Sequence, residues 1–175
     1  MINTTTSAVG AFGTRNRVYV EFPLVLWACK KIGRPVKFTA TRSESFLTDY
    51  QGRDLLTHVE LALDADGKFL AMRADNINNA GARCVSLSPL GKGSALITGS
   101  YGIPAATLRA RSVFTNTMPT QAYRSSGRPE VTFAIEQIVE HAARQCGFDP
   151  LELRRKNLVP PEKMPYTNAV GARYD

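Results

Sequence analysis

From Leu55 to Leu63 the chain alternates. Leu55, Thr57, Val59, Leu61 and Leu63 fall on one face, and Leu56, His58, Glu60 and Ala62 on the other. A period of two belongs to a strand with one face turned to a core. Asp64-Ala65-Asp66-Gly67 follows, a turn whose glycine suits a left-handed position. Lys68 to Asp75 then returns, so a hairpin is expected over about 54–75. Thr107 to Thr115 reads as a further strand, as does Pro35 to Ala40. The stretch from Asn76 to Gly99 is rich in Asn, Gly, Ser and Ala, and a short helix is expected within it.

Three segments carry helical spacing instead. In about 19–32, Leu24, Trp27, Ala28 and Lys31 share a face, Pro23 is tolerable only near the start, and Gly33 stands at the cap. In about 130–146, Val131, Ile135, Ile138, Val139, Ala142 and Cys146 form one apolar stripe, with Pro129 in the first turn and Gly147 at the cap. A shorter helix over about 151–157 follows Asp149-Pro150, where the aspartate is a natural cap. Residues 161–175 show no periodicity and read as an irregular tail. The order of helix, strands, then helices, without regular alternation, predicts an α+β fold: a mixed sheet containing the hairpin, with helices packed on it. Residues 1–160 make one domain.

Composition narrows the class. A hydrophobic share of 43% and a charged share of 21% are those of a soluble globular chain. No apolar run is long enough to span a membrane. Met1 to Thr6 lacks the basic start and apolar middle of an export signal, so a cytoplasmic location is expected. Cys29, Cys84 and Cys146 are scattered, with no zinc spacing, and suit buried thiols in a reducing compartment. His58 and His141 stand apart and form neither a triad nor a metal site. Asp64 and Asp66 begin like a calcium loop but lack its later ligands. No nucleophile elbow, Walker loop or full dinucleotide fingerprint is present.

The candidate chemistry lies in Gln121-Ala122-Tyr123-Arg124-Ser125-Ser126-Gly127-Arg128-Pro129-Glu130, a small-residue loop with two arginines that opens directly into a helix. Guanidinium forks suit carboxylate or phosphate oxygens, small residues let a ligand approach the backbone, and a helix start favours anions. A second stretch, Val9-Gly10-Ala11-Phe12-Gly13-Thr14-Arg15-Asn16-Arg17, is a small-residue turn around one aromatic, followed by positive charge.

In order, this turn, Gly33-Arg34-Pro35-Val36-Lys37 with Thr41-Arg42-Ser43-Glu44, Gly52-Arg53-Asp54, the Ala122-Tyr123-Arg124 loop and the closing Asp149 to Leu158 resemble the molybdenum hydroxylases. More closely, they resemble the molybdopterin-binding large subunits of the xanthine dehydrogenase, aldehyde oxidase and carbon monoxide dehydrogenase superfamily. The resemblance runs from about Val9 to Pro160 and makes residues 1–160 part of a molybdopterin-binding domain. It implies molybdopterin, in dinucleotide form and carrying molybdenum, in contact with Gly10, Phe12, Gly13, Ala122, Tyr123, Arg124, Ser125, Ser126 and Gly127. It also implies FAD and 2Fe–2S clusters on partner subunits or domains, together with the remainder of the large subunit.

The implied reaction is hydroxylation of a small-molecule substrate, an aldehyde or an N-heterocycle, with water as oxygen donor. The family's glutamate base has no match in this chain, so no catalytic residue is assigned, and the isolated chain is expected to be inactive and to bind little or no cofactor. Ala11, Thr14 and Asn16 depart from the family's more glycine-rich turn. Ser125 stands where the carbon monoxide dehydrogenases place a copper-binding cysteine. A hydroxyl is a poor ligand for soft Cu(I), which argues against the copper route.

A reading from another class is a basic module binding nucleic acid or an anionic partner. The net charge of +7 invites it, with Arg109, Arg111, Arg124 and Arg128 as contacts. Against nucleic acid, the basic residues are dispersed and the aromatics do not interleave with them.

Overall fold

A computed structural model describes residues 11–13 and 17–175. Helix α1 spans Glu21–Ile32 and α2 spans Arg42–Thr48. Strands β1 (Leu55–Leu63) and β2 (Phe69–Gly81) form the hairpin, followed by α3 (Ser88–Ser94) and β3 (Ala105–Phe114). Helices α4 (Arg128–Cys146) and α5 (Pro150–Asn157) follow. The sheet order is β1-β2-β3; β1 runs antiparallel to β2, and β3 runs parallel to it. This is the expected α+β architecture with a mixed sheet.

The hairpin turn is built by its own side chains. Asp64 Oδ1 accepts the Asp66 and Lys68 amides at 3.0 and 2.8 Å, and Gly67 takes φ +81°. A buried asparagine from α5 locks it in place. Asn157 Nδ2 donates to the Gly67 and Leu153 carbonyls, and its Oδ1 accepts the Phe69 amide, all within 2.9 Å. Buried polar groups satisfied in this way fix one register.

On β1 the face expected to point inward is half-buried at every position, and the opposite face is exposed at every position. The central strand β2 carries the fully buried row Met72, Ala74, Asn76, Asn78 and Ala80. Helix α4 lies over this face. Its Val131, Ile135, Val139 and Ala143 join Phe69, Met72, Ile97, Tyr101, Ile103 and Leu153 in the core. Each large aliphatic buried there stabilises by about 1.5–3 kcal/mol.

Several expectations need correction. The segment 35–40 forms no strand; it has no sheet partner among the described residues, and its first residue, Pro35, has no amide to donate. Helix α2 was not expected, although Thr41 and Glu44 form a complete capping box, with Thr41 Oγ1 accepting the Glu44 amide at 3.2 Å and Glu44 accepting the Thr41 amide at 2.7 Å. The apolar positions of α1 do not reach the core: no residue of α1 is buried, and Trp27 is 60% exposed. Cys84 and Cys146 are exposed and Cys29 half-buried, so the thiols are not core residues.

The segment 161–175, read as irregular, holds a short antiparallel pair, Tyr166–Thr167 with Arg173–Tyr174. Asn168 ties it down by donating to the Ala95 carbonyl at 3.0 Å.

Candidate functional site

Residues 119–127 lie along the end of β2 and the start of α4. Thr120 is fully buried; its hydroxyl donates to the Asn79 carbonyl at 2.6 Å and lies 3.0 Å from Asn78 Oδ1. The segment also pairs with residue 51. The Gln51 amide donates to the Pro119 carbonyl at 3.1 Å, and the Gln121 amide to the Gln51 carbonyl at 2.8 Å. Gln121, also fully buried, then turns its side chain back to accept the Ala122 amide at 2.7 Å.

Beyond that anchor the backbone bends sharply. The Ser126 amide donates to the Tyr123 carbonyl at 2.7 Å, and the Arg128 amide to the Ser125 carbonyl at 3.0 Å. The bend requires left-handed φ at Ser125 (+67°) and Gly127 (+83°). Gly127 has a second reason to lack a side chain: a Cβ there would sit 2.1 Å from the Pro89 carbonyl oxygen and 2.6 Å from the Gly93 nitrogen of α3. Ser126 is buried at the same contact, with its hydroxyl 3.3 Å from that of Ser88.

The early turn meets this loop. Phe12 has φ +70°, and its ring stands edge-on to Tyr123 with centroids 6.1 Å apart. Gly13 packs so closely that a Cβ would lie 2.9 Å from the Ala122 carbonyl oxygen. The Arg124 guanidinium lies over the Phe12 ring at 5.6 Å. Thus Phe12, Gly13 and residues 122–125 form one continuous wall. Ser126 and Gly127 stand behind it, against α3. Gly10 lies outside the described residues.

One residue without an assigned role joins this wall. Arg53 lies over the Tyr123 ring at 4.9 Å, donates to the Arg124 carbonyl and pairs with Glu130 at 3.1 Å. Its neighbour Gly52 would place a Cβ 2.9 Å from that of Tyr123. Gly52-Arg53-Asp54 belongs to the ordered motifs of the resemblance, but nothing in the sequence gives its arginine a role; only the fold brings it beside a loop some seventy positions away.

Among the described residues, Phe12, Arg53 and Ser125 are the non-glycine residues with left-handed backbone, and all three belong to this cluster. Such conformations cost of order 1 kcal/mol or more each and persist where the surroundings over-determine them, commonly at sites of function.

Charge is distributed unevenly around the fold. Arg109 and Arg111 on β3 both bond the Asp75 carboxylate. The hydrogen bond from Arg109 holds that carboxyl below its ordinary range, Arg111 adding to the effect. Two of the four arginines of the basic-module reading therefore share one carboxylate, which offsets one of their two charges. Arg124 and Arg128 have no carboxylate partner among the described residues. No three His, Cys, Asp or Glu side chains among the described residues cluster in a way that could hold a metal ion. No helix among them is long and apolar enough to cross a membrane. The open cleft of about 320 Å³ between β1 and α4, lined by Thr57, Val59, Ala134, Gln137, Ile138 and His141, shares no residue with the wall.

A family model described as the molybdopterin cofactor-binding domain matches residues 2–158. The gamma subunit of the 6-hydroxypseudooxynicotine dehydrogenase complex of Paenarthrobacter nicotinovorans is 36% identical over 160 residues, 90% of this chain and 20% of that protein. The carbon monoxide dehydrogenase large chain of Afipia carboxidovorans is 37% identical over 171 residues, 95% of this chain and 21% of that one. Among solved structures, quinoline 2-oxidoreductase from Pseudomonas putida 86 superposes with a TM-score of 0.87 at 35% identity, covering 94% of this chain and 22% of that one. The chain spans about one fifth of the length of these relatives.

Proposed function

Because this chain belongs to the molybdopterin cofactor-binding domain family, we propose that it supplies one wall of the cofactor site in a molybdenum hydroxylase large subunit. The carrying observation is the convergence of Phe12 and Gly13 with residues 122–125. The donor set fits the group. Arg124 and Arg128 hold charge that no carboxylate neutralises among the described residues, and Ser125 offers a hydroxyl on an exposed, sharply bent backbone. Such groups suit the oxygens of a pterin pyrophosphate. When bound, the cofactor supplies the redox chemistry, while the protein supplies orientation and electrostatics. In this reading Gly13 lets the backbone approach closely, and Tyr123 and Arg124 orient what lies before the wall. The side-chain oxygen of Ser125 argues against a copper-dependent reaction.

The complete enzyme then hydroxylates an aldehyde or an N-heterocycle with oxygen from water, and passes electrons to FAD and 2Fe–2S partners in the cytoplasm. The chain alone lacks the base and gives no turnover. The test is co-production of the chain with the remaining polypeptide of a large subunit and the two electron-transfer subunits. Molybdenum and pterin are then assayed, and products are analysed after turnover in ¹⁸O-labelled water. Label in the product and roughly stoichiometric molybdenum are expected. Label drawn from O2, or an assembled subunit devoid of pterin, would overturn the reading.

A further inference from the structure

We propose that Arg53 is a positioning residue for the wall: its guanidinium fixes where Tyr123 and Arg124 stand. This rests on the reading that the wall faces the cofactor. Three contacts converge on one planar group. One nitrogen pairs with Glu130 Oε2 at 3.1 Å, another donates to the Arg124 carbonyl, and the plane covers the Tyr123 ring at 4.9 Å. Only a guanidinium performs all three tasks together, since it combines a fork of donors with a flat, weakly hydrated face. The anchor is firm: the Glu130 side chain, in the first turn of α4, is only 8% exposed. A carboxylate so placed needs its cation, and the cation is thereby held in one place.

The loop needs such a brace. Its bend depends on a left-handed serine, and the arginine that holds it is itself left-handed, at φ +61°. Neither conformation is favoured locally. Beside Arg53, the close approach of Gly52 to Tyr123 and the pairing of Gln51 with residues 119 and 121 bring the two segments together at three successive positions. The segment 51–53 therefore acts as a latch. Gln51 sets the height of the loop, Gly52 allows the approach, and Arg53 closes over the tyrosine and grips the peptide after it.

The test uses the chain labelled with 3-fluorotyrosine, the Tyr123 resonance being assigned with Tyr123→Phe. Arg53→Lys keeps a cation for Glu130 but loses the fork and the plane. Its melting temperature is expected to stay near that of the parent, while the Tyr123 fluorine signal moves toward that of a solvent-exposed fluorotyrosine. Glu130→Gln is expected to move the same signal in the same direction. A purely structural role predicts the reverse for Arg53→Lys, with the charge restoring everything. An unmoved Tyr123 resonance in both variants would overturn the proposal. The measurement involves no molybdenum, so its failure removes the latch and leaves the cofactor reading standing. Absence of pterin from the assembled subunit removes that reading and leaves the latch.

Discussion

Gly127 and Gly33 both sit in left-handed backbone, at φ +83° and +66°, yet their surroundings differ completely. A methyl group at Gly33 meets nothing within 4 Å, whereas at Gly127 it would lie inside the contact with Pro89 and Gly93. Gly33→Ala is therefore expected to cost about 1 kcal/mol, from backbone conformation alone. Gly127→Ala is expected to cost about 3 kcal/mol or more, since α3 or the loop must also shift. Urea unfolding of the two variants checks the ranking, and equal losses would contradict the packing described. The small residues of this loop were legible as a place where something approaches the backbone. That α3 is one of the things approaching was not, because Pro89 and Gly93 lie over thirty residues away in a stretch without periodicity. The role of Arg53 was hidden for the same reason: the loop that it and its neighbours Gln51 and Gly52 meet lies some seventy positions away.

Tyr101 shows how the elements are tied together. It is 3% exposed, and its hydroxyl donates to Glu136 Oε1 at 2.8 Å, while Arg154 of α5 donates to Glu136 Oε2 at 2.9 Å. One carboxylate thus joins the approach to β3 with α4 and α5. Burial, and then the hydrogen bond to Glu136, pushes the tyrosine pKa above its usual value. The folded state therefore keeps its proton to higher pH than the unfolded chain. The associated stability is complete below the unfolded pKa of about 10 and is lost as pH rises through the folded value. Tyr101→Phe is expected to lower stability near neutral pH by about 1 kcal/mol and to flatten the decline above about pH 10. Denaturant titrations at several alkaline pH values measure both effects, and an unchanged decline would contradict the assignment.

Element types were legible where one face was buried, as in β1 and α4, because burial imposes the period. The misreadings fall where that link breaks. Residues 35–40 have strand-like composition but no partner, and α2 is set by its capping box rather than by a buried face. In 161–175 a single buried asparagine does what a hydrophobic stripe does elsewhere.

On the scale of the whole molecule, the apolar surface is uneven. Leu24, Trp27, Ile32, Phe38, Phe46 and Leu47 are each more than half exposed, all within the first fifty residues. Exposed apolar groups in such number within one segment suit coverage by a partner, and the proposed assembly would supply one in the remaining polypeptide of the large subunit. Trp27 is the single tryptophan, so its emission reports the surroundings of α1 alone. In the isolated chain it is expected to emit at long wavelength and to be quenched readily by acrylamide; in the assembled subunit the emission moves to shorter wavelength and quenching falls severalfold. An emission already blue-shifted in the isolated chain would contradict the exposure described. The net positive charge, which by itself suggested nucleic acid, could not be assigned from the sequence. The fold pairs Arg109 and Arg111 with Asp75 and sets Arg124 over Phe12 in the wall.

The central claim is that two segments distant in sequence form one surface against molybdopterin. Amide hydrogen exchange of the assembled large subunit, with and without its cofactor, tests it most directly. Slower exchange on cofactor loading is expected at residues 12–13 and 122–125 together, with the amides of β1 unchanged. Protection that spares both segments and appears elsewhere in the chain would contradict the account.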